Sequence, residues 1–174
     1  SSTSRGLGDV YKRQALFKNL FDRCATFMQT IQKIPQPVIA QVHGIATAAG
    51  CQLVSTCDLA IATEETKFGV NGVNIGLFCS TPMVALSRNI HRKRAFEMLV
   101  TGEFMTAQEA KAAGLINKVV PKDDLSSAAS SLAEVISSKL GSAVKTGKTA
   151  FYRQIQLPVN LSLIHISEPT RRRG

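Results

Sequence analysis

Apolar residues recur at steps of three and four between residues 15 and 33, which is the spacing of one face of an α-helix. They are Phe17, Leu20, Phe21, Cys24, Phe27, Met28 and Ile31. Pro35 and Pro37 follow, and proline has no backbone N–H with which to continue a helix. The first element is therefore predicted to be an amphipathic helix that packs its apolar face against the rest of the domain.

Three β-branched runs predict three strands. "PVIAQVHG" indicates a buried strand that ends in a bend at Gly44, "LAIATE" a second strand that Asp58 opens, and "INKVV" a third that Pro121 stops. Between the first two, the small residues "ATAAG" permit close backbone approach, and "CQLVSTC" predicts a helix. The inward positions of that helix are predicted to be Leu53, Val54 and Cys57.

Capping signals predict the helices of the second half. Ser80 or Thr81 is expected to cap the helix of "STPMVALSRN", with Pro82 in its first turn, and Gly102 is expected to end the helix of "RKRAFEMLVTG". Before the first of these helices, "GVNGVNIG" is too rich in Asn and Gly to form regular structure for long.

The last three helices follow the same rules. Thr106 and Glu109 have the spacing of a capping box, and Gly114 is predicted to end the helix between them and the third strand. Two more helices are predicted over residues 122–140 and 142–156. Strand, helix, strand and then helices is an α/β pattern. Three strands are few for a sheet, so we expect a domain that begins upstream of residue 15.

Composition excludes several protein classes. The chain has 174 residues, 44% of them hydrophobic, and a mean hydropathy of +0.06, which fits one globular domain. No apolar run approaches the ~20 residues that a membrane span needs. The four cysteines lack paired CxxC spacing and the three histidines are scattered, so neither a metal site nor a disulfide framework is indicated and buried thiols are expected.

The two ends of the chain look foreign to the domain. One coding sequence for "DVYKRQ", residues 9–14, has a reverse complement that translates as "LSLIHI", residues 161–166. Such an inverted repeat resembles the end of a sequencing adapter, so residues 1–14 and 161–174 are predicted to be adapter-derived and residues 15–160 to be the domain. A Ser- and Arg-rich transit peptide is the alternative for the first segment.

The net charge of +9 carries less information once the ends are set aside. They hold six of the 21 Lys and Arg residues and two of the 12 acidic residues, which leaves +5 for residues 15–160. The remaining basic cluster, "HRKRAFEM", has no aromatic stacking platform, so we interpret it as a solvated helix start and expect no nucleic-acid partner.

Several segments together resemble the crotonase (enoyl-CoA hydratase/isomerase) superfamily. They are "PQPVIAQVHGIATAAGCQLVSTCDLAIATEETKFG", "NIGLFCSTP", "FEMLVTGEFMTAQEAKAAGLINKVVP" and "GKTAFYRQ", in order from about residue 15 to residue 156. The resemblance implies a spiral of ββα turns, here truncated at both ends, that assembles as a homotrimer. It also implies an acyl-CoA thioester as substrate, with coenzyme A bound only as part of that substrate. The implied location is the mitochondrion and the implied role is in fatty-acid and lipid metabolism.

The resemblance assigns an oxyanion site to the first bend. In the family, two backbone N–H groups hold the thioester oxygen as it becomes an enolate, and the second of these groups falls on Ala49. The first belongs to a segment upstream of residue 15. By the same alignment the substrate-binding positions are Gly44, Ala46, Ala48, Gly50 and Gly72.

The family's two catalytic glutamates are absent. Gln52 stands at one of these positions and Gly72 at the other. Hydration of an enoyl-CoA needs a general base and a general acid, and neither an amide nor a hydrogen atom can exchange protons near neutral pH. The usual hydratase mechanism is therefore predicted to be lost.

Other residues are candidate substitutes for these acids. Glu64 and Glu65 are expected on a solvated turn, Glu97 and Glu103 are expected to pair with nearby arginines, and Asp58 is expected to be a turn or cap residue. A pairing of His43 with Cys51 as base and nucleophile is set against a buried thiol and a hydrogen-bonded histidine. Asn71 and Asn74 either orient a water or substrate amide, or shape the loop.

Three functions remain open from the sequence. The first is an acyl-CoA site that supports chemistry needing mostly enolate stabilisation, such as thioester hydrolysis, decarboxylation or isomerisation. The second is a non-catalytic acyl-CoA binder or scaffold of the same fold. The third, which the charge distribution disfavours, is binding of RNA to a basic surface.

Overall fold

A computed structural model describes residues 2–159 and 161–162, with side chains described from Arg13 onward. Within these residues, short strands alternate with helices. The strands are β1 (Ile39–Val42), β2 (Ile45–Thr47), β3 (Leu59–Thr63), β4 (Lys67–Gly69), β5 (Met105–Thr106) and β6 (Lys118–Val120). The helices are α1 (Ser2–Lys33), α2 (Ala49–Thr56), α3 (Ser80–Asn89), α4 (Arg92–Thr101), α5 (Ala107–Ala113), α6 (Leu125–Ser137) and α7 (Gly141–Gln154).

Two small sheets form the framework. The first has the order β1-β3-β6 with all strands parallel, and the second has the order β2-β4-β5, in which β2 and β4 are parallel and β4 and β5 antiparallel. Because β1 pairs with β3 and β2 pairs with β4, two successive β-β turns of the chain lie side by side. The arrangement stacks one ββα turn on the next, as the family resemblance implies.

The predicted strands are confirmed as β1, β3 and β6, but the prediction of only three strands is wrong. The strands that the sequence missed, β2, β4 and β5, have three, three and two residues. Runs this short show no alternation of apolar and polar residues over four positions, so they carry no periodic signal. They pair with each other, and their pairing holds the start of α2 beside the loop that follows β4.

One apolar cluster joins both sheets to helices α2 to α5. Its fully buried side chains include Phe68, Leu86, Met98 and Met105. A smaller cluster between the first sheet and α6 contains Ile61, Val120, Leu125 and Ala129. The burial of these side chains holds the two sheets and the helices together, because each fully buried Val, Leu, Ile, Phe or Met side chain contributes about 1.5–3 kcal/mol.

Most predicted helix boundaries in the second half are confirmed. Gly102 and Gly114 end α4 and α5 in the left-handed conformation, with φ of 67° and 84°. Thr106 and Glu109 form the predicted capping box. The predicted cap of α3 is wrong: the residue before its first turn is Cys79, neither Ser80 nor Thr81 caps it, and Pro82 lies in the first turn as expected.

Three other predictions need correction. Helix α1 extends N-terminally of residue 15, and the helix predicted over 122–140 consists of a short 3₁₀ turn followed by α6, which ends at Ser137. In α2, Val54 is buried as predicted and Cys51 is fully buried, whereas Leu53 is only half-buried; Cys57, also half-buried, is the C-cap residue that follows the helix. Residues 163–174 lie outside the described residues, and the adapter origin of the two ends stays a prediction.

The structure gives Asp58 a different role from the expected turn or cap. Its carboxylate accepts hydrogen bonds from the backbone N–H of Val38, the Nζ of Lys148 and the hydroxyl of Tyr152. These groups are 20, 90 and 94 residues away in sequence. A local sequence pattern does not report contacts at such separations, so this network was missed.

Candidate functional site

The site begins where β2 gives way to α2. Ala48 is the N-cap residue of α2 and adopts φ 48° and ψ −116°, the one positive φ among the described non-glycine residues. Its backbone N–H donates to the carbonyl of Gly69 at 3.0 Å, and its carbonyl accepts from the N–H of Gln52 at 3.0 Å. Both bonds hold the chain in a conformation that costs an alanine about 1–3 kcal/mol.

The first turn of α2 presents free backbone donors. The N–H groups of Ala49, Gly50 and Cys51 precede the first hydrogen bond of the helix, so they have no partner within it. Ala48, Ala49 and Gly50 are all exposed. Oriented N–H groups at a helix start favour negative charge, which makes this turn able to stabilise an oxyanion.

Gln52 lies in the first turn of α2 and is half-buried. Its side-chain amide makes no hydrogen bond to another residue in the described part of the chain, while its backbone carbonyl accepts from the Thr56 hydroxyl. The amide can therefore donate to a ligand. It cannot act as general acid or base.

Gly72 lies in the loop that faces this turn, at the start of a 3₁₀ helix over Asn71–Ile75. A Cβ at this position would come within 2.8 Å of the Leu77 carbonyl oxygen and 2.9 Å of the Cys79 Sγ. The Gly72 N–H donates to that same sulfur at 3.3 Å, and the Gly72 carbonyl accepts from the Leu77 N–H at 2.9 Å. The loop is folded against the side of Gly72 where a side chain would project.

The bend and the loop meet through two hydrogen bonds. The hydroxyl of Thr47 donates to Asn71 Oδ1 at 2.6 Å, and Ala48 N–H donates to the Gly69 carbonyl. Neither segment, 47–52 or 69–74, contains an Asp, Glu, Lys, Arg or His residue. The two segments can therefore form hydrogen bonds to a ligand, but they contain no side chain that exchanges protons with it near neutral pH.

Two of the predicted substrate-binding residues lie away from the first turn of α2. Gly44, with φ 70°, forms the bend between β1 and β2 and is separated from Ala49 by the whole of β2. Ala46 is 6% exposed and belongs to the main apolar cluster. Ala48 and Gly50 flank Ala49 at the start of α2, and Gly72 lies in the loop whose Asn71 bonds to Thr47, whereas Gly44 lies in the bend before β2 and Ala46 lies within β2.

The pairing of His43 with Cys51 is not formed. Cys51 is fully buried, and its pKa is raised to about 11, mainly because burial penalises the thiolate. His43 is exposed at the far end of β2. A thiol with that pKa is protonated near neutral pH, so the buried-thiol interpretation is confirmed and Cys51 is not an activated nucleophile.

The acidic residues outside the site are occupied or solvated. Glu64 and Glu65 are exposed after β3, as expected. Glu97 pairs with Arg94 at 2.7 Å, which confirms its predicted pairing. Glu103 makes no direct salt bridge among the described residues, and its charge only helps to raise the pKa of Arg94 from a distance. Arg94 instead reaches Glu109 at 3.2 Å.

The loop asparagines hold the loop against the end of α4. Asn71 Nδ2 and Asn74 Nδ2 both donate to the carbonyl of Gly102, the residue that ends α4. The sequence leaves open whether they bind a ligand or shape the loop, and these bonds favour the second role. The contact of Asn71 with Thr47 was missed because no spacing rule connects residues 24 positions apart.

Other classes of site receive no support from the described residues. Within residues 2–159 and 161–162, no three His, Cys, Asp or Glu side chains are grouped to hold a metal ion, and no helix is both long and apolar enough to cross a membrane. All four cysteines are free. In the basic cluster, Arg92 and Lys93 are exposed at the start of α4, as expected for a solvated helix start.

Comparison with known proteins identifies the family of the chain. The family described as "Enoyl-CoA hydratase/isomerase" matches residues 6–167. The rat and human proteins named "Enoyl-CoA hydratase domain-containing protein 3, mitochondrial" are 51% identical over 143 residues and 49% identical over 136 residues. These matches cover 82% and 78% of this chain, and 47% and 45% of the relatives, so the chain spans about half the length of the curated relatives it matches.

Solved structures show the same fold. An enoyl-CoA hydratase from Mycobacterium smegmatis is 52% identical, with a TM-score of 0.86 over 88% of this chain and 60% of that one. Human enoyl Coenzyme A hydratase domain-containing protein 3 is 44% identical, with a TM-score of 0.86 over 89% of this chain and 61% of that one. The chain has the crotonase fold and belongs to the enoyl-CoA hydratase/isomerase family.

Proposed function

We propose that the chain binds an acyl-CoA thioester and polarises its carbonyl group with the N–H of Ala49, without a pair of catalytic glutamates. The observation that carries the proposal is the exposed first turn of α2, whose donors follow the strained Ala48. One well-placed backbone donor contributes about 3 kcal/mol to oxyanion stabilisation in well-studied enzymes. Coenzyme A enters this proposal as part of the substrate, with no separate cofactor.

The reaction class follows from what the site lacks. Addition of water to a double bond requires proton transfer to carbon and from water, and segments 47–52 and 69–74 contain no carboxylate. Reactions that depend mostly on enolate or oxyanion stabilisation fit better. The classes we propose are decarboxylation, which takes no proton from the substrate, and thioester hydrolysis or isomerisation in which solvent water carries the proton that no side chain of these segments can take.

Paired ligands test the role of the Ala49 N–H. An acyl-CoA thioester and the matching S-alkyl-CoA thioether share the nucleotide and the chain, but only the thioester has a carbonyl oxygen. Calorimetry should show tighter binding of the thioester, and infrared difference spectra should show its carbonyl stretch at lower frequency than in water. Equal affinities together with an unshifted carbonyl band would contradict the proposal.

A variant provides the matching protein control. Ala49→Pro removes the proposed donor and puts the proline Cδ where the N–H hydrogen stood, and proline is tolerated at the first position of a helix. The thioester should lose its advantage over the thioether in this variant. Because Ala48 has an unusual conformation before residue 49, a melting curve of Ala49→Pro must first show that the fold is kept.

A non-catalytic acyl-CoA binder or scaffold of the same fold is the second candidate function. The observation that favours it is Gly72, because the loop fills the space of a side chain and leaves no group there to transfer protons. Binding of several acyl-CoA thioesters without turnover supports this candidate. Turnover of any of them supports the first.

Assembly and location complete the proposal. We propose a homotrimer, supported by the exposed apolar side chains of Phe96 on α4 and Phe104 just after it, which are 61% and 44% exposed. Sedimentation equilibrium would test it. We also propose a mitochondrial location, because the rat and human relatives are named mitochondrial. No nucleic-acid partner is proposed.

A further inference from the structure

We infer that Asn71 is a positioning residue for the oxyanion site: through Thr47 it fixes the direction in which the Ala49 N–H points. This inference rests on the proposed function, since it concerns the donor that the proposal assigns to the thioester oxygen. Asn71 itself touches no ligand in this scheme. Its effect passes through the two residues that precede Ala49.

The Asn71 side chain is fixed at both ends. Its Oδ1 accepts from the Thr47 hydroxyl at 2.6 Å, and its Nδ2 donates to the Gly102 carbonyl. Gly102 is itself held in place, because its N–H donates to the Met98 carbonyl at 3.1 Å as the last hydrogen bond of α4. The amide therefore links β2 to the end of a helix whose buried residues belong to the main core.

Gly69 makes room for this link and supplies a second one. A Cβ on Gly69 would collide with Asn71 Oδ1, so the side chain of Asn71 lies in the space left by the glycine. The carbonyl of Gly69 accepts the N–H of Ala48 at 3.0 Å. Thr47 and Ala48, the two residues before Ala49, are thus both held by the segment 69–71.

These restraints matter because of the conformation of Ala48. The peptide between Ala48 and Ala49 carries the proposed donor, and a positive φ at an alanine is unfavourable without support from its surroundings. The Ala48 carbonyl points into the helix, where the Gln52 N–H donates to it at 3.0 Å, so the Ala49 N–H points out of the helix start. Loss of the Thr47 restraint would let this peptide rotate, and an oxyanion donor loses strength when it is no longer aimed.

Acetoacetyl-CoA is a suitable probe. This β-ketothioester loses its α-proton to water, and the resulting enolate absorbs ultraviolet light strongly, so the pH at which half of the bound ligand is enolate reports on oxyanion stabilisation. A role confined to protein stability would leave that pH unchanged at saturating ligand. We expect Asn71→Ala and Thr47→Val each to lower the enolate equilibrium constant about tenfold, which raises the half-enolate pH by about one unit.

Asn74→Ala is the matched control. Asn74 donates to the same Gly102 carbonyl from the same loop, but makes no contact with Thr47 among the described residues. It should change the enolate equilibrium constant less than about twofold, and so should Thr47→Ser, which keeps the hydroxyl. The double variant Thr47→Val/Asn71→Ala should have the same enolate equilibrium constant as either single variant, because the two substitutions remove the same hydrogen bond.

The outcomes separate this inference from the proposed function. A wild-type chain that binds acetoacetyl-CoA but shows no gain in enolate contradicts the proposed function and the inference with it. Two results would overturn the inference alone, in a wild-type chain that does stabilise the enolate. One is an equal enolate equilibrium constant in Asn71→Ala and Asn74→Ala. The other is a double variant Thr47→Val/Asn71→Ala in which the two single losses multiply. If Asn71→Ala does not fold, Thr47→Val and Thr47→Ser decide the matter, since Thr47 is exposed and Val has nearly the same shape.

Discussion

The Nζ of Lys148 lies 2.7 Å from Asp58 Oδ2, in an ion pair whose side chains are only 6% and 12% exposed. Lys148 also donates to the carbonyls of Ile31 and Gln36 at 2.8 Å, and Asp58 Oδ1 accepts from the Tyr152 hydroxyl. The network joins the end of α1, the connection to β1, the start of β3 and helix α7. It lies at the end of α2 opposite to Ala49.

Removing one member of this pair should be strongly destabilising. Lys148→Met leaves the Asp58 carboxylate with two neutral donors in a buried place, and we expect the free energy of unfolding to fall by about 3–5 kcal/mol. Urea denaturation followed by circular dichroism measures the change. Lys145→Met, on an exposed position of the same helix, is the control and should change stability by less than about 0.5 kcal/mol. Equal effects of the two variants would show that the pair contributes nothing.

The Asp58 network shows where sequence reasoning about the fold stops. Periodicity and capping rules predict α2, α4 and α5 because each rule concerns residues within one or two turns. The partners of Asp58 come from separate segments, and β2, β4 and β5 are defined only by the strands they pair with. What the sequence missed is therefore the set of contacts that depend on tertiary structure.

Gly72 should tolerate no side chain. Gly72→Ala brings a methyl group to 2.8 Å from the Leu77 carbonyl oxygen and 2.9 Å from Cys79 Sγ, and we expect a loss of about 1–3 kcal/mol. The control is Gly147→Ala on α7, which meets no atom within 4 Å and should gain about 0.5–1 kcal/mol. Urea denaturation of both variants tests the contrast. Adding Cys79→Ala to Gly72→Ala should recover only part of the loss, since the Leu77 oxygen remains.

The candidate site was predicted in part. The residue pattern and the family resemblance indicated Ala49, the helix start behind it and the absence of carboxylates at Gln52 and Gly72. They gave no sign that Cys79 packs over Gly72 or that Thr47 bonds to Asn71, because each contact depends on how the loop 69–79 folds back. The positive φ of Ala48 was equally hidden, since alanine is not a residue that signals such a conformation.

The buried thiol of Cys51 should make stability depend on pH in the alkaline range. Its pKa is about 11 in the folded chain against an ordinary value of 9.0, so between these values the unfolded chain loses a proton that the folded chain keeps. The contribution of this group is complete below pH 9.0 and is lost as the pH rises through about 11. Urea denaturation from about pH 8 to about pH 11 should show a shallower decline for Cys51→Ala than for wild type. An identical pH slope in both proteins would contradict this origin of the pH dependence.

Replacing Ala48 by glycine should separate stability from function. Glycine adopts φ 48° and ψ −116° without strain, and the strain that alanine carries there destabilises the fold by about 1–3 kcal/mol. The greater freedom of glycine in the unfolded chain offsets about 0.4–1 kcal/mol of this gain. We therefore expect Ala48→Gly to raise the free energy of unfolding by roughly 1 kcal/mol. Ala133→Gly, on an exposed turn of α6, should lower it by about 0.5–1 kcal/mol. We also expect Ala48→Gly to bind acetoacetyl-CoA with a smaller enolate fraction although it is more stable, because the strained conformation directs the Ala49 N–H. A stabilised variant with an unchanged enolate fraction would contradict this. It would show that the hydrogen bonds of Thr47 and Ala48 are sufficient to aim the donor.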